Sequence, residues 1–296
     1  MKMKPGQLLY GVSTLWMPSP GATLFAAIEL AKEDGFPALE IVPTQAPQGD
    51  WYSLGFSPGD VDTTFYEKLA EHSASFPCVT VHSPHTELNI ASRNPVIRRE
   101  SVRQYLECIE IARLIGAKVV TFHHGAPPLP VTIDKEEFDL LVAYNVEFAL
   151  QAAELAEKYG LEMGFENLGG PTAKVERELL GEILHRVKNP RFGINLDIGH
   201  VHLADGDPLG WIRDFGTQIK EVHTHGTYCR LDRNPPFINH SPLEMETRSD
   251  LQEIFHKLKN IGFFGPFIFE IFAPDLLTYL KFAQQGKDLL LRVYGG

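Results

Sequence analysis

Residues 158–167 read Lys158-Tyr159-Gly160-Leu161-Glu162-Met163-Gly164-Phe165-Glu166-Asn167, and the order of events in them recurs along the chain. An amphipathic stretch stops on a glycine, a short apolar run follows, and an acidic side chain stands at its end. Glycine suits the stop because it takes up the left-handed helix cap at no steric cost. The same stop occurs at Glu33-Asp34-Gly35, Leu114-Ile115-Gly116 and Asn260-Ile261-Gly262. Eight apolar runs follow one another, at 8–13, 38–42, 78–81, 118–122, 161–165, 192–196, 219–222 and 266–269. They are short and mostly β-branched or aromatic, as strands buried on both faces require.

The stretches between them carry helical spacing. Leu141, Tyr144, Phe148, Ala152 and Leu155 keep it, with Asp134 and Glu137 in the form of a capping box ahead of them. Val102, Tyr105, Leu106 and Ile109 keep it too, as do Leu251, Ile254, Phe255 and Leu258 behind Ser249 and Gln252. The weakest helical pattern is at 208–215. Regular alternation predicts a parallel sheet with helices outside it, and eight units predict an α/β fold of the (β/α)8 TIM-barrel kind. An open doubly wound sheet would carry a glycine-rich phosphate loop after its first strand, and none is present. The 296 residues suit one such barrel, so a single domain over 1–296 is expected. The longest connection, 226–249, is rich in Pro and Asn and is expected to cover the barrel mouth.

The formal net charge is −11 with the acidic residues scattered, which argues against nucleic-acid binding by bulk charge. Cys78, Cys108 and Cys229 show neither a metal-type pairing nor a disulfide framework, and free thiols suit a reducing cytoplasm. No apolar run approaches the ~20 residues that span a bilayer, and residues 8–12 are too short for a signal sequence. The expectation is a cytoplasmic protein with a small-molecule partner and no membrane; a homo-oligomer is left open.

The polar residues at the strand ends carry the chemistry. Strand 3 ends in Val81-His82-Ser83-Pro84-His85, strand 4 in Phe122-His123-His124-Gly125 and strand 5 in Phe165-Glu166-Asn167. Strand 6 ends in Leu196-Asp197-Ile198-Gly199-His200, strand 7 in Val222-His223-Thr224-His225 and strand 8 in Phe269-Glu270. Six consecutive strands thus bring His, Asp or Glu to the end of the barrel where active sites are built. Of 12 histidines, only His72, His185 and His256 fall in predicted helices.

Glu166, Asp197 and Glu270 directly follow apolar strand residues, and a buried carboxylate needs a partner or a metal. A salt-bridge set would need Lys or Arg at neighbouring strand ends, and none stands there before Arg230. With imidazoles as the neighbours, a divalent ion is the simpler compensation. A nitrogen and oxygen donor set without thiolate suits Zn, Mn, Co or Fe, with Mg less favoured. Glu166, Asp197, His223 and Glu270 make one four-ligand set, and His82 and His123 could join Glu166 around a second metal. His225 rivals His223, because only one histidine of the His-Thr-His run can take the inward position. His85, His124 and His202 read as supporting residues.

The chain resembles the sugar phosphate isomerase/epimerase group of the xylose isomerase-like TIM barrels, a superfamily that also includes endonuclease IV. The motifs that carry the resemblance are His82-Ser83-Pro84-His85 leading to Leu88-Asn89-Ile90-Ala91-Ser92, Gly116 through His123, Glu166-Asn167-Leu168, Leu196 through His200, and Phe267 through Glu270. In epimerases of this kind, the resemblance implies, the metal is held by Glu166, Asp197, His223 or His225, and Glu270. The two glutamates would also serve as acid and base on opposite faces of the substrate. In endonuclease IV histidines matching His82 and His123 join these positions, then His200 and an Asp-x-His pair. Here His240 matches the histidine of that pair, but Ile238 stands in place of the aspartate. Gly226 likewise replaces an aspartate usual after strand 7 in the isomerases.

The reading is a metal-dependent isomerase or epimerase of a sugar, sugar phosphate or hydroxy-keto acid, working by proton transfer through an enediolate. His200 is the expected substrate hydrogen-bond partner and Trp16 an apolar wall. Arg93, Arg230 and Arg233 are candidate phosphate binders, Arg230 first among them. The alternative is an endonuclease IV-like hydrolase of phosphodiesters at abasic sites. A non-catalytic binding barrel would have little reason to converge six such side chains on one mouth.

Overall fold

The interior of the barrel explains why its strands are so short and apolar. Eight of the described strands form the barrel: β1 (Leu9–Ser13), β2 (Ala38–Ile41), β3 (Cys78–His82), β4 (Val119–His123), β5 (Glu162–Glu166), β6 (Phe192–Asp197), β7 (Ile219–Thr224) and β8 (Pro266–Phe269). All neighbours pair in parallel, and β8 returns to β1 to close the sheet. This computed structural model describes residues 7–17, 23–44, 47–48, 51–52, 54–127, 133–204, 206–229 and 237–295. The expected strands fall within a few residues of the observed ones. The carboxyl ends of β3 to β7 run one or two residues further than the apolar runs. Functional side chains therefore sit on paired backbone: His123 lies opposite Glu166, and Asp197 opposite His223.

Helices α1 (Leu24–Glu33), α2 (Thr63–Ser73), α3 (Pro95–Leu114), α4 (Lys135–Tyr159), α5 (Glu176–Val187), α6 (Ile198–Leu203), α7 (Pro208–Phe215), α8 (Leu251–Asn260) and α9 (Leu276–Tyr294) surround the sheet. Their ends follow local chemistry. The Asp134 carboxylate accepts from the Glu137 amide at 2.9 Å, and Gly160 closes α4 at φ 69°. The cap of α8 is Asp250 rather than Ser249, because the Asp250 carboxylate reaches the Gln252 amide at 2.9 Å. Edge-to-face pairs such as Phe122–Phe148 and Phe165–Phe192, with centroids 5.0 and 5.2 Å apart, fill the layer between helices and strands. Among the described residues no helix is long and apolar enough to cross a membrane.

The described parts of the connection at 226–249 hold regular structure that its composition does not suggest. Gly226–Cys229 and Phe237–Ser241 form an antiparallel hairpin, followed by a 3-10 turn at Leu243–Met245. A Cβ at Gly226 would stand 2.3 Å from the Pro242 carbonyl oxygen. The close approach of the turn accounts for glycine where the related pattern has an aspartate.

Inside the barrel, the lowest layer is apolar: Leu9, Ala38, Cys78 and Ile268. One step toward the carboxyl ends the interior becomes polar, with Glu40, Thr80, Thr121, Asn195 and Glu221 all wholly buried. The functional layer lies above it.

Candidate active site and metal centre

Strand alternation puts residues i and i+2 on the same side. It stacks His82 on Thr80, His123 on Thr121, Asp197 on Asn195 and His223 on Glu221, all facing the barrel axis. Glu166 occupies the centre. Its Oε2 lies 2.9 Å from His82 Nε2 and 3.2 Å from His123 Nε2, and its Oε1 lies 3.3 Å from Nδ1 of both His200 and His223. Burial would push the Glu166 carboxyl up, but the imidazoles, His223 first, hold it well below the usual range.

Asp197 ends β6 and starts α6. Its Oδ1 accepts from the His200 amide at 2.7 Å, so the carboxylate caps the helix that carries His200. His200 and His202 are therefore helical, contrary to the expectation that only His72, His185 and His256 are. The Asn167 side chain ties β5 to β6 by donating to the Asp197 carbonyl and accepting from its amide, both at 2.9 Å. Burial works against the charged forms of Asp197 and His200. Their mutual attraction outweighs it, lowering the carboxyl and raising the imidazole to about 10. Glu270 lies beyond β8, its Oε1 3.3 Å from His223 Nδ1. Burial first, opposed by His223 and reinforced by Glu166, Glu40 and Asp197, lifts its carboxyl to about 8.

Donor atoms of Glu166, Asp197, His223 and Glu270 all lie within 4.8 Å of one another, and all four residues are buried. Asp197 Oδ2 and His223 Nδ1 have no hydrogen-bond partner. The contacts at 3.3 Å are thus Coulombic neighbours rather than hydrogen bonds. Buried polar atoms are rarely left unpaired, and the described ion pairs of these carboxylates are all with imidazoles. The donor set fits a divalent cation.

The other expected residues divide around this set. His82, His85 and His123 form a second group of close donors, and His200, His225 and His240 a third. His82 Nδ1 donates to the Ser83 carbonyl at 2.7 Å, which directs Nε2 at Glu166. Burial alone would lower His82, yet Glu166 raises it to about 9. For His123 burial prevails and the imidazole falls to about 4. His240 takes a left-handed backbone, φ 52°. Trp16 stacks on its ring at 3.9 Å, with Phe272 edge-on to Trp16 at 4.6 Å. The wall expected of Trp16 therefore stands behind His240. His124 pairs with Glu176 at 2.7 Å, and His202 lies 3.4 Å from Glu246, so both tie loops to the scaffold. Arg93 pairs with Glu137 on the surface. Arg230 and Arg233 lie outside the described residues.

Three residues beneath the site were missing from the sequence reading: Glu40, Asn195 and Glu221. Glu40 and Asn195 interrupt apolar runs, between Leu39 and Ile41 and between Ile194 and Leu196, and Glu221 stands between Lys220 and Val222. Two of them were reachable by stepping back two residues from Asp197 and His223. Burial, with Glu40 adding to it, raises the Glu221 carboxyl to about 7.

Fold and site together define a parallel (β/α)8 barrel that gathers acidic and imidazole side chains at its carboxyl mouth. The chain belongs to the xylose isomerase-like TIM barrel family, whose sequence model matches residues 28–291. An uncharacterized protein of Methanocaldococcus jannaschii is 30% identical over 264 residues, covering 86% of this chain and 81% of that one. The L-ribulose-5-phosphate 3-epimerase UlaE of Salmonella heidelberg is 20% identical, covering 90% of this chain and 88% of the enzyme. The crystal structure of a D-tagatose 3-epimerase-like protein superposes with a TM-score of 0.75 at 25% identity, over 97% of this chain and 99% of the other.

Proposed function

We propose that this chain is a divalent-metal-dependent epimerase or isomerase of a small ketose, ketose phosphate or hydroxy-keto acid. The observation that carries the reading is the buried set of Glu166, Asp197, His223 and Glu270, with unpartnered donor atoms converging on one space. The similarity to epimerases of ketose sugars and sugar phosphates supports the substrate class.

Glu166, Asp197, His223 and Glu270 would hold the ion. When bound, it supplies positive charge that polarises a carbonyl and balances charge developing next to it. The chain's own residues do the rest. Glu166 and Glu270 take and return the proton on the carbon beside the carbonyl, across an enediolate of the substrate. His200 donates to a substrate hydroxyl or oxyanion, held in place by the α6 cap and by the Asn167 carbonyl 3.0 Å from its Nδ1. Trp16 stacks behind His240 and backs that side of the mouth.

The test is turnover in heavy water by manganese- or cobalt-loaded protein, with a panel of small ketoses and their phosphates. An epimerised product carrying deuterium at the inverted carbon is expected. A second reading, hydrolysis of a phosphodiester, is favoured by the two histidine groups flanking the central set, which could hold further ions. Incision of abasic-site DNA with no epimerisation of any ketose would put that reading first.

A further inference from the structure

On the side away from the mouth, His223 turns its second ring nitrogen to a carboxylate that the proposed reaction does not use. Nε2 of His223 lies 3.2 Å from Oε2 of Glu40, and neither side chain has any exposed surface. Glu40 interrupts β2 between Leu39 and Ile41, both wholly buried. An apolar side chain there would satisfy packing at lower cost than a buried carboxylate. His223 thus lies between two sets of acids. Nε2 meets Glu40 from below, and Nδ1 stands 3.3 Å from Oε1 of both Glu166 and Glu270, bonded to neither.

We propose that Glu40 is a positioning residue for His223. Its carboxylate accepts the Nε2–H hydrogen bond, fixes the proton on Nε2, and so aims the Nδ1 lone pair at the space shared by Glu166, Asp197 and Glu270. A half-turn of the ring would put carbons where the two nitrogens now lie, and the hydrogen bond to Glu40 opposes it. A histidine whose far nitrogen donates to a carboxylate is also a more basic ligand. Asn195 Nδ2, a donor, lies 2.8 Å from the same nitrogen, while the amide oxygen of Asn195 has no hydrogen-bond partner. Turned so that this oxygen faces the ring, the amide would be a second acceptor for Nε2–H. The role rests on the metal centre proposed above, and it predicts affinity, not only activity.

The experiment measures cobalt(II) affinity by competition with a chromophoric chelator, with the visible bands of bound cobalt as a second readout. The proteins compared are native, Glu40→Gln, Glu40→Leu, His223→Ala and the double variant His223→Ala/Glu40→Leu. Glu40→Gln keeps an acceptor without the charge and should bind about 10-fold more weakly; Glu40→Leu removes the acceptor and should bind about 100-fold more weakly, with shifted bands. In the His223→Ala background, Glu40→Leu should change affinity little, because the residue it positions is gone. Glu40→Gln matches the native side chain in size and carries the comparison by itself where Glu40→Leu does not fold. Native affinity and bands in the Glu40 variants, or an undiminished effect of Glu40→Leu without His223, would overturn the role and leave the metal centre standing. A native protein that binds no cobalt would overturn both.

Discussion

Nε2 of His225 lies 3.2 Å from Oδ1 of Asp197, so the second histidine of the His-Thr-His run faces the aspartate while the first faces the four-donor space. The His240 amide donates to His225 Nδ1 at 3.2 Å, occupying its other nitrogen. Space for the ring comes from Gly199, where a Cβ would stand 1.7 Å from His225 Cε1. In the proposed metal centre the two histidines would have different work: His223 would offer a lone pair, and His225 would steady a carboxylate that offers another.

That division predicts unequal losses. His225→Ala should weaken metal binding by roughly 10- to 100-fold, the usual effect of removing an orienting partner. His223→Ala removes a donor and should cost more. Calorimetric titration with manganese or cobalt measures both. Equal losses, or a larger one for His225→Ala, would exchange the roles.

Metal that binds only the folded chain must stabilise it. At a hundredfold excess over its dissociation constant, a single ion adds about 2.7 kcal/mol, which in a chain of this size shifts the melting temperature by several degrees. Chelation should lower the midpoint, and Mn, Co, Zn or Mg should restore it to differing extents. Asp197→Asn should abolish the response. A midpoint indifferent to all four ions and to chelation argues against the metal centre.

The His124–Glu176 pair fixes a pH signature outside the four-donor set. Burial would lower His124, but Glu176 raises it above its ordinary 6.5. Burial would raise Glu176, but His124 and the Leu168 and Gly169 amides lower it below 4.5. The His124 contribution to stability is complete below pH 6.5 and is lost as pH rises through its folded pKa. The Glu176 contribution is complete above pH 4.5 and is lost as pH falls through its own. Glu176→Gln should therefore destabilise most between pH 4.5 and 6.5, by about 3–5 kcal/mol for a broken buried pair. Thermal melts of both proteins across pH 3–9, roughly the span of the two titrations, test this. A gap that stays constant across that range would mean His124 does not titrate with the fold.

The strands were legible because burial on both faces leaves a continuous apolar signature, and the helix stops because glycine marks them at Gly35, Gly116, Gly160 and Gly262. The positions of Glu166, Asp197, His223 and Glu270 at one mouth followed from the same strand boundaries. Other features depend on contacts between segments far apart in sequence. The His223–Glu40 bond joins residues 183 positions apart, and no local pattern announces such a partner. Which of His223 and His225 faces the four-donor space depends on where β7 ends and on the room left by Gly199. The paired strands at 226–229 and 237–241 were hidden because the proline and asparagine of the connection are equally common in irregular loops.

Glu166 and Glu270 should each work on one face of the substrate. Two carboxylates acting as acid and base on opposite sides of an enediolate make each the base for one epimer only. Glu270→Gln keeps the size and an oxygen donor but removes one of the two bases, so epimerisation should fall by ~10²-fold or more, the usual scale of general-base loss. The variant should still exchange the carbon-bound proton of one epimer with heavy water, through Glu166, because abstraction on that face is intact. The other epimer should show no exchange. Glu166→Gln should reverse the pattern, with bound metal measured in each variant to separate ligand loss from base loss. Proton NMR of substrate recovered after partial turnover reads both outcomes. Full activity of Glu270→Gln with metal bound would make Glu270 a ligand only. Turnover by the native enzyme with no deuterium in the product would replace the two-base mechanism with a shielded hydride shift.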